Sequence, residues 1–189
     1  MIHTIAIQSL GAAGSLMYVI APQFPRPRQS ALSMMLGDLL VAVHYLLLGS
    51  GVGAIILALA SLRGLGAAVF PKRYMTAVIT GSIAAIWLVT VVYGSSVDML
   101  GAFAMTTTAV ALYLRDRPTA FRLTFLTSQI PYAAYAAALG SIPVTIEGIA
   151  NTVSTLIALW RYGDSQNATG GLGLRLASFV YRGRAKRHP

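Results

Sequence analysis

Seven apolar stretches, each close to the roughly 20 residues that span a hydrocarbon core, follow one another with only short breaks between them. A helix apolar on every side needs apolar surroundings on every side, which a small water-soluble domain cannot give to seven helices at once. Backbone that crosses lipid must also satisfy its own hydrogen bonds, so the expectation is an all-α, polytopic membrane protein. Composition agrees: only 10% of residues are charged, against about 25% in a soluble domain.

Hydropathy places the helices near 4–22, 31–49, 52–70, 75–93, 97–114, 120–140 and 143–161. Pro22, Pro25 and Pro27 are read as stopping the first helix, since proline lacks an N–H and disfavours helix in the residue before it. Gly49-Ser50-Gly51, Pro71 and Gly94-Ser95-Ser96 mark later turns. Met1-Ile2-His3-Thr4 lacks the basic residues of a signal peptide, so the first stretch is expected to be retained. Residues 1–162 are thus expected to form the transmembrane domain and 163–189 a basic cytoplasmic tail. In that tail Gly170-Gly171-Leu172-Gly173 reads as a flexible linker, and Leu174 to Pro189 reads either as a segment lying on the anionic leaflet or as a solvated tail.

Orientation follows from lysine and arginine in the short loops. Arg26 and Arg28, then Lys72 and Arg73, then Arg115, Arg117 and Arg122, and finally six basic residues from Arg161 onward fall on alternate connections. The connections between them carry none. Seven spans therefore put the N-terminus outside and the C-terminus in the cytoplasm. Topology accounts for the net charge of +9, and the stripe of basic and aromatic residues that marks a nucleic-acid surface is missing, so no nucleic acid is expected.

A weak internal repeat appears at an offset of 91 residues, the step from Gly49-Ser50 to Gly140-Ser141. Arg26-Pro27 then aligns with Arg117-Pro118, Leu32 with Leu123, Ala42 with Ala133, Ile55 with Ile146 and Ala67 with Ala158. Repeat one (4–70) and repeat two (97–161) would be parallel three-helix bundles joined by a linker helix (75–93), a 3+1+3 plan. Transporters built from parallel repeats hold their substrate near the midplane between the halves.

That plan, with Pro22-Gln23 at the end of the first helix, resembles the PQ-loop and SWEET group of small transporters. More closely, His44-Tyr45-Leu46-Leu47-Leu48-Gly49, Ser61-Leu62-Arg63, and Ile146-Glu147-Gly148 leading to Trp160-Arg161 resemble the YgjV family of bacterial inner-membrane proteins, over about residues 5–162. The resemblance implies the fold and an inner-membrane location; the family brings no settled substrate with it. Glu147-Gly148 stands where the SWEET group often has Asn-Gly, and its counterpart in the first repeat is Ile56. A symmetric pair of sugar-binding asparagines is absent, so the resemblance does not carry over a sugar substrate.

An ionisable side chain at a helix centre costs about 2.5–3.5 kcal/mol on insertion scales, which makes each one a candidate for function. Asp38 and Arg63 are placed about 10 Å from the cytoplasmic side, where they could form an intramembrane ion pair, and His44 and Glu147 about 6–8 Å from the outer side, where they could meet as a protonatable pair. Glu147, Asn151 and Ser154 make one polar stripe on the seventh helix. Glu147, His44, Asn151, Gln129 and Tyr45 form the expected substrate and proton pathway. Pro131 inside the sixth helix is the expected hinge. Thr106, Thr107 and Thr108 either line the same space or bond their own backbone.

Motifs for hydrolytic, phosphoryl-transfer or metal chemistry are missing, and cysteine with its chemistries is absent, so neither an enzyme nor a cofactor is expected. The expected partners are the bilayer and a small polar solute, with a homo-oligomer as a further option. The leading reading is a small-solute transporter with proton coupling as a further feature; the alternative is a non-transporting scaffold that binds a partner through its basic loops and tail.

Overall fold

The computed structural model describes residues 2–162. The tail and its linker, for which two readings were open, lie outside the described residues. Among the described residues seven helices run in order: α1 (Ile2–Ile20), α2 (Pro27–Leu47), α3 (Gly51–Val69), α4 (Lys72–Tyr93), α5 (Ser96–Tyr113), α6 (Pro118–Ala138) and α7 (Ile142–Tyr162), with a 3-10 turn at Ala21–Gln23 after α1.

Pro27 does not close the first helix. It occupies the first turn of α2, as Pro118 does in α6, because proline's fixed φ and missing N–H suit the position where no intrahelical donor is needed. The earlier start of α2 moves Asp38 to the middle of its helix, deeper than the sequence reading placed it.

Six helices are long and apolar enough to cross a membrane: α1, α2, α3, α4, α5 and α7. The expected seventh span, α6, has the length but not the apolarity. Its buried stripe of Phe121, Arg122, Phe125, Ser128, Gln129, Tyr132, Tyr135 and Ala136 repeats every three or four residues, so polar groups face the interior while Ile130, 81% exposed, faces out. The same inversion holds throughout. Leu62, Leu88 and Ile149 stand on the surface, whereas Asp38, Arg63, Glu147 and Asn151 are buried.

Neighbours in space form a ring: α1 packs on α2, α2 on α3, α3 on α5, α5 on α6, α6 on α7, and α7 back on α1. α4 stands outside the ring against α3 and α5. Two apolar clusters fill the ring. One, around Tyr45, Ile56, Met105, Tyr132 and Tyr135, lies toward the α2–α3 and α6–α7 turns. The other, around Tyr18, Met34, Met75, Phe121 and Phe125, lies toward the opposite, proline-rich end.

The two turns share one construction. Gly49 and Gly140 have positive φ, 86° and 73°, the left-handed geometry that glycine adopts without a Cβ penalty. Ser50 N donates to Tyr45 O (2.9 Å) and Gly49 N to Leu46 O (3.1 Å); Ser141 N donates to Ala136 O and Gly140 N to Ala137 O (both 3.0 Å). Both are Schellman caps, and every partner obeys the offset noted in the sequence.

α1 and α2 cross at Gly14 and Gly37, where each backbone carbonyl lies against the other glycine. A Cβ on Gly37 would fall 2.7 Å from Tyr18 Cδ2 and 3.0 Å from Gly14 O. Gly37→Ala is therefore expected to destabilise the protein by about 1–3 kcal/mol, read as a lowered unfolding temperature in detergent, whereas an unchanged temperature would show that the crossing tolerates separation.

Candidate solute site

Glu147 enters the ring from α7 because the polar stripe of that helix faces inward. It is 2% exposed, and neither carboxylate oxygen has a hydrogen-bond partner. Its charge acts on Tyr45 of α2 and Tyr132 of α6, and the Ser15 hydroxyl of α1 faces it without closing a bond of normal geometry. The hydroxyls of Tyr45, Tyr132 and Ser15 are buried as well; those of Tyr45 and Tyr132 face each other without closing a bond of normal geometry. One turn along α7, Asn151 Nδ2 donates to Gln129 Oε1 at 3.1 Å, which leaves Asn151 Oδ1 unbonded. Thr155 Oγ1, one further turn along, is unbonded as well. Gln129 is held from its own helix, donating to Phe125 O (3.1 Å) and Ser128 Oγ (3.0 Å). These bonds occupy the turn just before Pro131, where proline removes a backbone donor.

Next to this group lie Asp38 and Arg63. They do not form the expected direct ion pair. Asp38 Oδ1 instead accepts from Tyr18 Oη, and Arg63 Nη1 donates to Met105 O of α5 at 2.9 Å while its Nε and Nη2 stay unbonded. The two charges still act on each other at longer range. Tyr18 reaches Asp38 because Gly37 leaves room for its ring, and that ring lies 6.2 Å from the ring of Tyr132. Tyr18 thus bridges the acid of α2 and the group around Glu147.

His44 does not pair with Glu147. Its ring nitrogens meet Ile7 O of α1 and Ser141 Oγ of the α6–α7 turn, each at 2.8 Å, so its hydrogen-bonding capacity is consumed at the turn end. Tyr135, at the matching position of α6, makes the matching contacts: its hydroxyl donates to Asp98 Oδ1 of α5 (3.0 Å) and faces Ser50 of the α2–α3 turn. Asp98 also accepts from Ser95 N and Ser95 Oγ (2.7 Å each), the capping box that starts α5. Each turn serine therefore latches onto the other side of the ring.

The opposite end is closed by Pro22-Gln23. Gln23 Nε2 donates to Ser154 O (2.7 Å) and Ser154 Oγ (2.9 Å), Ser154 Oγ donates to Val19 O (2.5 Å), and Arg161 Nη1 donates to Gln23 Oε1 (3.2 Å). Arg122 Nη2 reaches Pro22 O at 3.4 Å. A shallow recess lined by Pro22, Pro25, Pro118 and Arg122 opens beside this clasp, and Glu147 is not among its residues.

Of the residues named from sequence, the fold brings Glu147, Tyr45, Asn151 and Gln129 together and sets His44 apart as a latch. Thr106, Thr107 and Thr108 bond the carbonyls of Ala102, Ala104 and Ala104 in their own helix, which is the backbone alternative. Sequence reasoning missed Tyr18, Ser15, Thr155, Asp98 and Tyr135 as members of these networks. The repeat held the signal for two of them, since its offset places Tyr135 opposite His44 and Asp98 opposite Ile7.

A lipid-facing apolar surface, helices of membrane-spanning length and an enclosed polar centre define a polytopic helical membrane protein. Residues 5–166 match the family Imp-YgjV, described as a bacterial inner membrane protein, and the chain belongs to that family. No curated protein and no solved structure matches it. The bilayer is accordingly its first partner.

If Asp38 is held chiefly by Tyr18, a double-mutant cycle of Tyr18→Phe and Asp38→Asn will show a coupling of about 0.5–3 kcal/mol. The cycle of Asp38→Asn with Arg63→Ala will couple less strongly. A stronger coupling in the second cycle would restore the ion pair as the main contact.

Proposed function

We propose that the chain is a non-enzymatic small-solute transporter of SWEET-like plan, with seven spans and two equivalent halves, α1–α3 and α5–α7, linked by α4. The observation that carries the reading is Glu147, a buried carboxylate with no bonded partner among other unbonded polar groups. Orphaned polar atoms in a packed interior are costly, and in membrane proteins such groups mark solute or proton paths. A packed scaffold would be expected to bond its buried acid; this one does not, which favours transport over the partner-binding alternative.

The ring contacts support equivalent halves, since α1 on α7 corresponds to α5 on α3, and so do the matched turns and latches. His44 with Ser141 and Tyr135 with Ser50 would gate one end, Gln23 with Ser154 the other, and the polar centre would be the occluded compartment between them. Pro131 would let the end of α6 that carries Tyr135 move relative to the end that carries Arg122. The basic loops put the Gln23 end in the cytoplasm. α6 would count as the seventh span because its polar groups face the ring and not lipid.

The natural chain has no cysteine, so single cysteines report topology cleanly. In intact cells Ser96→Cys is expected to react with a membrane-impermeant maleimide and Asp116→Cys only after lysis; the reverse pattern would invert the orientation. Transport itself is tested in proteoliposomes with solutes chosen from a thermal-shift screen at acidic and neutral pH. Uptake in the wild type should depend on pH, and Glu147→Gln should remove that dependence while leaving the unfolding transition cooperative. Unchanged pH dependence in the variant would eliminate the proton role of Glu147.

A further inference from the structure

The atoms left unbonded around Glu147 have a common chemistry. Glu147 offers two carboxyl oxygens and, once ionised, a negative charge; Asn151, its amide nitrogen committed to Gln129, offers only its carbonyl oxygen. The Tyr45, Tyr132 and Ser15 hydroxyls add oxygens that can accept as readily as donate. Among the described residues, the nearby basic side chains are engaged elsewhere. Arg63 is directed at Met105 O and acts on Asp38 and Tyr18, while His44 is consumed by Ile7 and Ser141. The charged group that acts on Glu147 is Asp38, of the same sign. Of the three buried acids among the described residues, Asp38 is bonded to Tyr18 and Asp98 to Tyr135 and Ser95, and the one without a bonded partner is Glu147.

We infer that this centre binds a protonated amine, a small organic cation bearing several N–H donors. The inference deepens the transporter reading and rests on its assignment of Glu147 as the solute-binding group. A primary ammonium supplies the missing positive charge and three donors for the carboxylate, the Asn151 carbonyl oxygen and a hydroxyl. A neutral polyol would bond the oxygens but leave an ionised Glu147 unanswered, and an anion would meet Glu147 and Asp38 with like charge.

The test is thermal unfolding of the full-length protein in detergent at matched ionic strength and mildly alkaline pH. The probes are ethylammonium, ethanolamine, ethylene glycol, acetate, sodium and potassium. Ethylammonium and ethanolamine are expected to raise the unfolding temperature saturably, as ligands that bind only the native state do; ethylene glycol and acetate are expected to have no effect. Glu147→Gln should weaken the half-saturating concentration by more than about tenfold, with Asp116→Asn unchanged. Should Glu147→Gln fail to fold, Asn151→Asp is expected to tighten amine binding and Tyr132→Phe to weaken it. A saturable shift from sodium with none from the amines, or amine shifts that ignore all three core variants, would overturn the inference. Amine binding without uptake in proteoliposomes would leave the site standing and remove the transporter reading. Uptake of a non-amine solute without an amine shift would do the opposite.

Discussion

The enclosure of Glu147 within the six-helix ring sets the terms for the rest of the structure. An ionised acid taken out of water and given no counter-charge is expensive by several kcal/mol in any real protein interior, and here the neighbouring oxygens of Tyr45, Tyr132 and Asn151 close no bonds of normal geometry to answer it. Such a centre persists only if the surrounding helices pack well enough to hold it. The Gly14–Gly37 crossing, the two apolar clusters and the lipid-facing leucines and isoleucines contribute that packing. The stability of the shell and the strain of the centre are therefore two sides of one arrangement.

Polar contacts that are fully satisfied lie at the two ends of the ring, away from Glu147. At one end the turn serines meet His44 and Tyr135; at the other, Gln23 ties α1 to Ser154 of α7. A histidine and a tyrosine are chemically different, yet each links a neighbouring helix, α1 at Ile7 or α5 at Asp98, to the turn across the ring. The geometry of the contact is shared while the side chain is not, as expected where backbone placement fixes which atoms face each other and more than one polar group spans the gap.

Much of the fold was legible because helix length, loop charge and glycine-proline punctuation are local properties. The helical class, the number of helices and the Gly49 and Gly140 turns could be read directly. Pro27 was misread because proline interrupts a helix from within but starts one at its first turn, and the sequence alone does not say which residue is first. The site was legible in part. Glu147, Asn151 and Gln129 stand out as polar residues in apolar helices, but the His44–Glu147 and Asp38–Arg63 pairings were guessed from depth along the helix. Depth says nothing about rotation or about the nearer partners, Ser141 and Tyr18, that capture those groups first.

By itself, the sequence determined that this chain lives in a membrane as a helical bundle, because apolar length and hydrogen-bond self-sufficiency leave no other arrangement in lipid. It also placed an acid, an amide and several hydroxyls on inward faces. Only the tertiary structure decided which of them are satisfied. That outcome turns on distances of a few tenths of an ångström between side chains on different helices: Tyr18 beside Asp38, Ser141 beside His44, and no donor that closes a bond to Glu147.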